Sequence, residues 1–195
     1  MIGHSLLHYA RVLAGLDLPQ TQTTRAEREL LASFLSGAKR VVEIGVFEGF
    51  TTHMLAEQAD ADAVIYGVDP FATGRLGISW GERIARSYNR RHSANDKIRF
   101  ITKSSTEVGD DVPTPVDLVF IDGDHSLAGI SADWAYWSER VAHGGIIALH
   151  DTLLTLDKPK DYSLGSIEYF RDHIRHDPRF DIVGQSDSLS VLRKR

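Results

Sequence analysis

Val41-Val42-Glu43-Ile44-Gly45-Val46-Phe47-Glu48-Gly49-Phe50-Thr51-Thr52 is the stretch that decides the fold of this 195-residue chain. It reads as a short apolar strand, a turn carrying two glycines, and the start of a helix. Glycines after an apolar strand let the backbone turn tightly and approach a ligand, with a helix N-terminus beyond. A dinucleotide fingerprint would need G-x-G-x-x-G, and only Gly45 and Gly49 are present, so a pyrophosphate cradle is poorly supported. Glu43 instead stands two places before the first glycine, where a carboxylate suits a ligand of positive charge.

Outward from this stretch, strand-length apolar runs recur at Arg40–Gly45, Val64–Asp69, Ile98–Thr102, Val116–Asp122 and Gly145–Asp151. Helical segments near Thr51–Gln58, Trp80–His92 and Ser126–His143 separate them. In the last, Leu127, Ile130, Trp134, Trp137 and Val141 fall on one helical face. Strands spaced by helices imply right-handed crossovers and a mostly parallel sheet covered on both faces. After a helical segment at Ser166–His176, Phe180–Gln185 and Leu189–Arg193 are joined only by Ser186-Asp187-Ser188, which is too short for a parallel crossover and suits a hairpin. Residues 1–37 read as a helical extension. Leu6, Leu7, Leu13 and Leu16 form a loose apolar face. Thr24 and Glu27 then make a capping-box pair before a stripe of Leu30, Leu31, Phe34 and Leu35 that ends at Gly37. The expected architecture is one domain over 1–195, an α/β Rossmann-like core from residue 38 with N-terminal helices.

Composition narrows the function. A net charge of −5 with 25% charged residues disfavours nucleic acid as a partner. The absence of cysteine removes disulfides and thiolate metal sites and suits the cytoplasm. No apolar stretch approaches the roughly 20 residues that span a bilayer, and the first fifteen residues lack the grammar of a signal peptide. A small molecule is the expected partner, and the N-terminal helices leave a homodimer contact open.

About 20 residues beyond the glycine turn, the second strand ends in Asp69, placed to accept hydrogen bonds from ribose hydroxyls. The fourth strand ends in Asp122-Gly123-Asp124-His125 and the fifth in His150-Asp151. Glu43-x-Gly45-x-x-x-Gly49 with Asp69 resembles the cofactor motifs of class I S-adenosylmethionine (SAM)-dependent methyltransferases. The run Val119–Ser126 and the pair His150-Asp151 are similar to small O-methyltransferases of the macrocin-type sugar and cephalosporin-hydroxylase-like group, over roughly Lys39 to Arg195. The resemblance implies a seven-stranded sheet of order 3-2-1-4-5-7-6 with strand 7 antiparallel.

It also implies site residues. Glu43, Gly45 and Gly49 would surround the methionine end of the cofactor, Asp69 the ribose, and Ser104 and Ser105 the adenine, with Asp122 nearby. The stretch Lys103–Glu107 departs from the usual Gly-Asp-Ser-Ala-Glu at Ser104, and Phe47 stands where many relatives have a further glycine. A divalent cation, Mg²⁺ or Mn²⁺, would be held by Asp122, His150 and Asp151, with Asp124 or His125 as base. Relatives usually have two adjacent acids where this chain has His150-Asp151. The metal logic is that a hydroxyl is almost fully protonated at neutral pH, so an ion can lower its pKa while a carboxylate or imidazole takes the proton. The competing reading is that Asp122 and Asp124 cap the helix from Ser126, with His125 and His150 ordinary loop residues.

Other features carry less. Arg83, Arg86 and Arg90 share a helical face and read as a solvated basic surface. Trp80, in the glycine-rich stretch Gly74–Gly81, suits either an acceptor pocket or simple packing. Thr152–Ser163, polar and containing Pro159, follows the catalytic edge and reads as a mobile lid. The functional expectation is SAM-dependent O-methylation of a small-molecule hydroxyl, a sugar or natural product. The alternatives are a SAM-binding relative with another reaction, a non-catalytic SAM binder, and, weakened by the missing glycines, an NAD-dependent oxidoreductase.

Overall fold

The structure, a computed structural model, describes residues 6–74, 77–92, 96–155 and 164–195. Strands β1 (Arg40–Ile44), β2 (Val64–Val68), β3 (Ile98–Ile101), β4 (Val116–Ile121), β5 (Val141–Leu149), β6 (Phe180–Ser186) and β7 (Leu189–Lys194) form one sheet in the order β3-β2-β1-β4-β5-β7-β6. The first five pair in parallel, and β7 runs antiparallel to both β5 and β6. This is the order the resemblance implied.

The strands are apolar on both faces because both faces are covered. Successive side chains alternate sides, so each strand feeds two cores. Val41, Leu118 and Phe120 pack beneath helices α2 (Arg25–Ala32) and α3 (Phe50–Gln58), through Leu31 and Leu55 with Leu35 of the turn after α2. Val42, Val119 and Ile121 face the other way, toward α5 (Leu127–Arg140) and α6 (Gly165–Asp172), through Ile130, Trp134, Trp137 and Phe170. Trp134 and Trp137 are core residues, as the helical spacing required.

Several local expectations need correction. Helix α2 carries the capping box, with Thr24 and Glu27 exchanging side chain-to-backbone bonds, but it ends at Ala32 with turns to Gly37. On α1 (Leu6–Leu13) the buried residue is Val12, whereas Leu6, Leu7 and Leu16 are exposed. Tyr9 of this helix stacks on Trp80, the first residue of α4 (Trp80–Asn89), at 5.5 Å, so Trp80 serves packing. Leu127 is exposed, because the stripe of α5 begins one turn later at Ile130. Strand β5 starts at Val141, directly after α5, and its register against β4 slips before Ile146, where left-handed Gly144 absorbs the irregularity. The basic face of α4 is only partly solvated, since Arg86 lies over the Phe100 ring and pairs with Glu82. Residues 156–163 of the expected lid lie outside the described residues, as do 1–5 of the extension and 75–76 of the glycine-rich stretch.

Among the described residues no helix is long and apolar enough to cross a membrane. The strand order reverses between β1 and β4, the position in open α/β sheets where ligands bind beyond the carboxyl ends.

Candidate active site

A cavity of about 540 Å³ opens at those strand ends, within the range of small-molecule sites. Glu43, Gly45, Asp69, Ser104, Ser105 and Asp122 all line it. Gly49 does not. It sits in the left-handed region (φ 77°) at the start of α3, and a Cβ there would meet that of Ala85 at 2.9 Å, so this glycine lets α3 pack against α4.

The turn after β1 is held by Asp69. Its Oδ2 accepts the amides of Val46 (2.9 Å) and Phe47 (3.1 Å), and its Oδ1 accepts that of Phe71 (2.6 Å). Phe47 takes φ 57°, so the chain makes a left-handed turn here without a glycine. Such a conformation costs a non-glycine residue roughly 1–2 kcal/mol, and the bonds to Asp69 offset it. Carboxylate oxygens accept more than one bond, so Asp69 retains capacity toward a ligand in the cavity.

Glu43 lies beneath this turn, 1% exposed, with the Thr52 hydroxyl donating to its Oε2. Burial pushes its pKa well above the usual carboxylate range, the Thr52 bond opposes this, and Asp122 and Asp69 reinforce it. Its nearest charged neighbours are acids, so a cation in the cavity would stabilise its ionised form. Further along, the Ser105 hydroxyl donates to Asp133 of α5, a buried cavity residue whose pKa burial also raises. Ser104 is exposed at the rim.

At the ends of β4 and β5, Asp122, His125 and His150 place one ligand atom each within 4.8 Å of one another. His125 Nε2 lies 3.6 Å from both Asp122 Oδ1 and Asp151 Oδ2. His150 is 5% exposed. Its Nδ1 stands 3.0 Å from Asp122 Oδ1 and 3.8 Å from Asp151 Oδ1, without a well-aligned hydrogen bond. Asp151 adopts φ 51°, an unusual backbone for a non-glycine residue and one often found at functional sites. Among the described residues the group with ligand atoms this close is Asp122, His125 and His150; Asp151, expected as a ligand, approaches His125 and His150 but falls outside that group.

Asp124 is placed differently. Its Oδ1 accepts the Ser126 amide and its Oδ2 the Ser126 hydroxyl, both at 2.9 Å, while Ser126 caps α5 through Gly129 N. These bonds hold its pKa below the usual value, which makes it a weak base. Asp124 lines the same cavity, and its bonds give it a helix-start role there.

Five contributors escaped sequence reasoning wholly or in part. Thr52 follows the glycine turn with no pattern to mark it as the partner of Glu43. Gln20, Thr21 and Gln22, between α1 and α2, line the cavity, and the Gln20 amide donates to buried Glu48. Glu27 was legible as a cap, but its Oε2 also accepts from His150 Nε2 at 3.3 Å. Burial disfavours charge on both partners, yet hydrogen bonds outweigh it. Those from His150, Thr24 and Ser188 hold Glu27 at about 2, and the close carboxylates of Asp122 and Glu27 hold His150 at about 10.

A family profile described as a methyltransferase domain matches residues 42–152. A curated protein of Sinorhizobium fredii, the uncharacterized protein y4gI, is 25% identical over 142 residues; that alignment covers 69% of this chain and 15% of that longer protein. Among solved structures, an O-methyltransferase from Bacillus cereus in complex with SAH superposes with a TM-score of 0.73 at 19% identity, covering 97% of this chain and 90% of that one. The O-methyltransferase TomG from Streptomyces achromogenes, involved in tomaymycin synthesis and solved in complex with SAM, gives 0.69 at 16% identity, covering 97% and 88%.

Proposed function

We propose that this chain, which belongs to the methyltransferase-domain family and is a SAM-dependent methyltransferase, methylates a hydroxyl of a small molecule with help from a divalent cation. The observation that carries the cofactor reading is Glu43. A buried carboxyl beside Asp122 and Asp69 fits a ligand bearing ammonium and sulfonium charges and would repel a pyrophosphate. Glu43 and the Gly45 turn would take the methionine end, Asp69 the ribose, and Ser105 with Asp133 the adenine.

The donor set at the strand ends fits a divalent ion. His150 Nδ1 is buried, faces two carboxylates and lacks a good hydrogen-bond partner. Asp122, His150 and Asp151 would hold the ion, which would supply Lewis-acid activation of the acceptor hydroxyl. His125 then takes the hydroxyl proton at Nε2. Its ring is a quarter exposed and stands between Asp122 and Asp151, which orient it and stabilise the imidazolium that forms. Oxygen and nitrogen donors of this kind suit Mg²⁺ or Mn²⁺, and the histidine tilts the preference toward Mn²⁺. An acceptor of sugar or natural-product size, handled in the cytoplasm, fits the same reading.

One observation favours a second mechanism within this function. In the ion-free site His150 is held as an imidazolium between Asp122 and Glu27, a built-in cation beside the acceptor. Calorimetry with SAM and S-adenosylhomocysteine, followed by turnover on hydroxyl acceptors before and after chelation, tests both parts. Absence of cofactor affinity in folded protein defeats the proposal, and full turnover in metal-free enzyme selects the imidazolium mechanism.

A further inference from the structure

We propose that Glu27 is a positioning residue for the active site, setting His150 so that its Nδ1 faces Asp122 and Asp151. The inference rests on the reading of His150 as an ion ligand and extends it to a helix outside the matched family region 42–152. A capping-box glutamate ordinarily sits at a solvated helix start, but Glu27 is 2% exposed. Its Oε2 accepts the Thr24 amide (2.7 Å) and His150 Nε2 (3.3 Å), and its Oε1 accepts the Ser188 amide (2.9 Å) and hydroxyl (2.7 Å). Four donors meet two oxygens, which is the full capacity of a carboxylate.

This fixes the chemistry of the ring. An ionised carboxylate only accepts, so Nε2 must carry a hydrogen toward Glu27, and Nδ1 is the nitrogen left for the site. Histidine ligands commonly donate their second N–H to a carboxylate, which sets tautomer and ring angle and raises ligand basicity. Glu27 supplies that carboxylate from 123 positions away in sequence, and through Ser188 it ties the β6–β7 hairpin to the same point.

Mn²⁺ titration of full-length wild-type, Glu27→Gln and Ser188→Ala proteins tests this, with thermal unfolding alongside. Ser188→Ala removes one bond to Glu27 without touching His150 and serves as the structural control. The expectation is that Glu27→Gln weakens Mn²⁺ binding roughly 10- to 100-fold, while Ser188→Ala lowers thermal stability and keeps wild-type affinity. Glu27→Gln binding Mn²⁺ within about twofold of wild type overturns the proposal. Imidazole ¹⁵N shifts of wild-type protein with Mg²⁺ give a readout that needs no variant: Nε2–H with Nδ1 perturbed by the ion supports it, and the reverse tautomer overturns it. If wild-type protein binds neither ion, the ion reading fails by itself. Positioning is then judged on the metal-free ring, where unchanged His150 shifts in Glu27→Gln overturn it and altered shifts sustain it.

Discussion

Gly45 and Asp122 are in backbone contact: a Cβ on Gly45 would stand 2.1 Å from the Asp122 carbonyl oxygen, joining the turn after β1 to the end of β4. The turn that lines the cavity and the strand that ends in Asp122 therefore cannot move independently.

Gly45→Ala should accordingly damage both stability and binding. The substitution adds left-handed strain at φ 86° to a clash with backbone, which cannot rotate away as a side chain can. Strain of roughly 1–2 kcal/mol and overpacking of roughly 1–3 kcal/mol predict a Tm lower by about 10 °C. Gly144→Ala is the comparison, since that glycine has φ 78° but nothing within 4 Å of its Cβ direction. It should lose only about 3 °C and bind S-adenosylhomocysteine normally. Equal losses in the two variants would show that the Asp122 contact contributes nothing.

Glu43 predicts a proton release. Burial holds the carboxyl protonated well above the usual range, with Asp122 and Asp69 adding to the shift. A cationic ligand favours the ionised form, so its binding should expel a proton at any pH where the empty site keeps Glu43 protonated. Calorimetry of SAM binding in buffers of different ionisation enthalpy reads this directly. Glu43→Gln should abolish the buffer dependence and weaken SAM roughly 10- to 100-fold, the cost of losing a hydrogen bond to a charged group. Identical heats in all buffers would rule out this role.

Substitution should separate the proposed ion ligands from the proposed base. His125→Ala should retain Mn²⁺ and lose turnover by about 10²- to 10⁴-fold, the usual range for a removed general base. Asp151→Asn should lose ion affinity first. Asp124→Asn should stay within a few-fold of wild-type turnover, because an amide oxygen can still accept the Ser126 amide. Loss of Mn²⁺ in His125→Ala would instead identify Asp122, His125 and His150, the three that approach within 4.8 Å, as the ligand set.

The sheet was legible because its rules are local and repetitive. Buried parallel strands read as continuous apolar runs, and a connection as short as Ser186–Ser188 admits only an antiparallel partner. The carboxyl-end acids Glu43, Asp69 and Asp122 follow from the same rule, since each is an acid at or just beyond the end of an apolar strand. What stayed hidden depends on contacts distant in sequence or on competition between partners. Asp124 looks identical to Asp122 in sequence, and only the placement of Ser126 shows that this cavity-lining acid is also tied to the helix start. Glu27 announces one partner three residues away, but nothing local points to His150. Gly49 matches a ligand-binding pattern and instead serves the packing of α3 on α4.

The Glu27–His150 pair should add its own pH dependence to the stability of the metal-free fold. Glu27, ordinarily near 4.5, is held at about 2 by hydrogen bonds that outweigh its burial, and His150, ordinarily near 6.5, is held at about 10. A carboxyl with a depressed folded pKa contributes stability above its unfolded value and loses it as pH falls. The acid limb should therefore run from about 4.5 down to about 2. A histidine with a raised folded pKa contributes fully below its unfolded value and loses it as pH rises, which places the alkaline limb between 6.5 and about 10. Because the two shifts share one interaction they do not add, and a single plateau on the order of 3 kcal/mol separates the limbs. Denaturant unfolding of metal-free protein from pH 3 to 10 should trace that plateau, and Glu27→Gln should flatten both limbs, leaving on the alkaline side only what Asp122 still provides to His150. A wild-type alkaline limb that survives unchanged in Glu27→Gln would show that Asp122 alone holds the imidazolium, and that the buried contact with α2 is electrostatically silent.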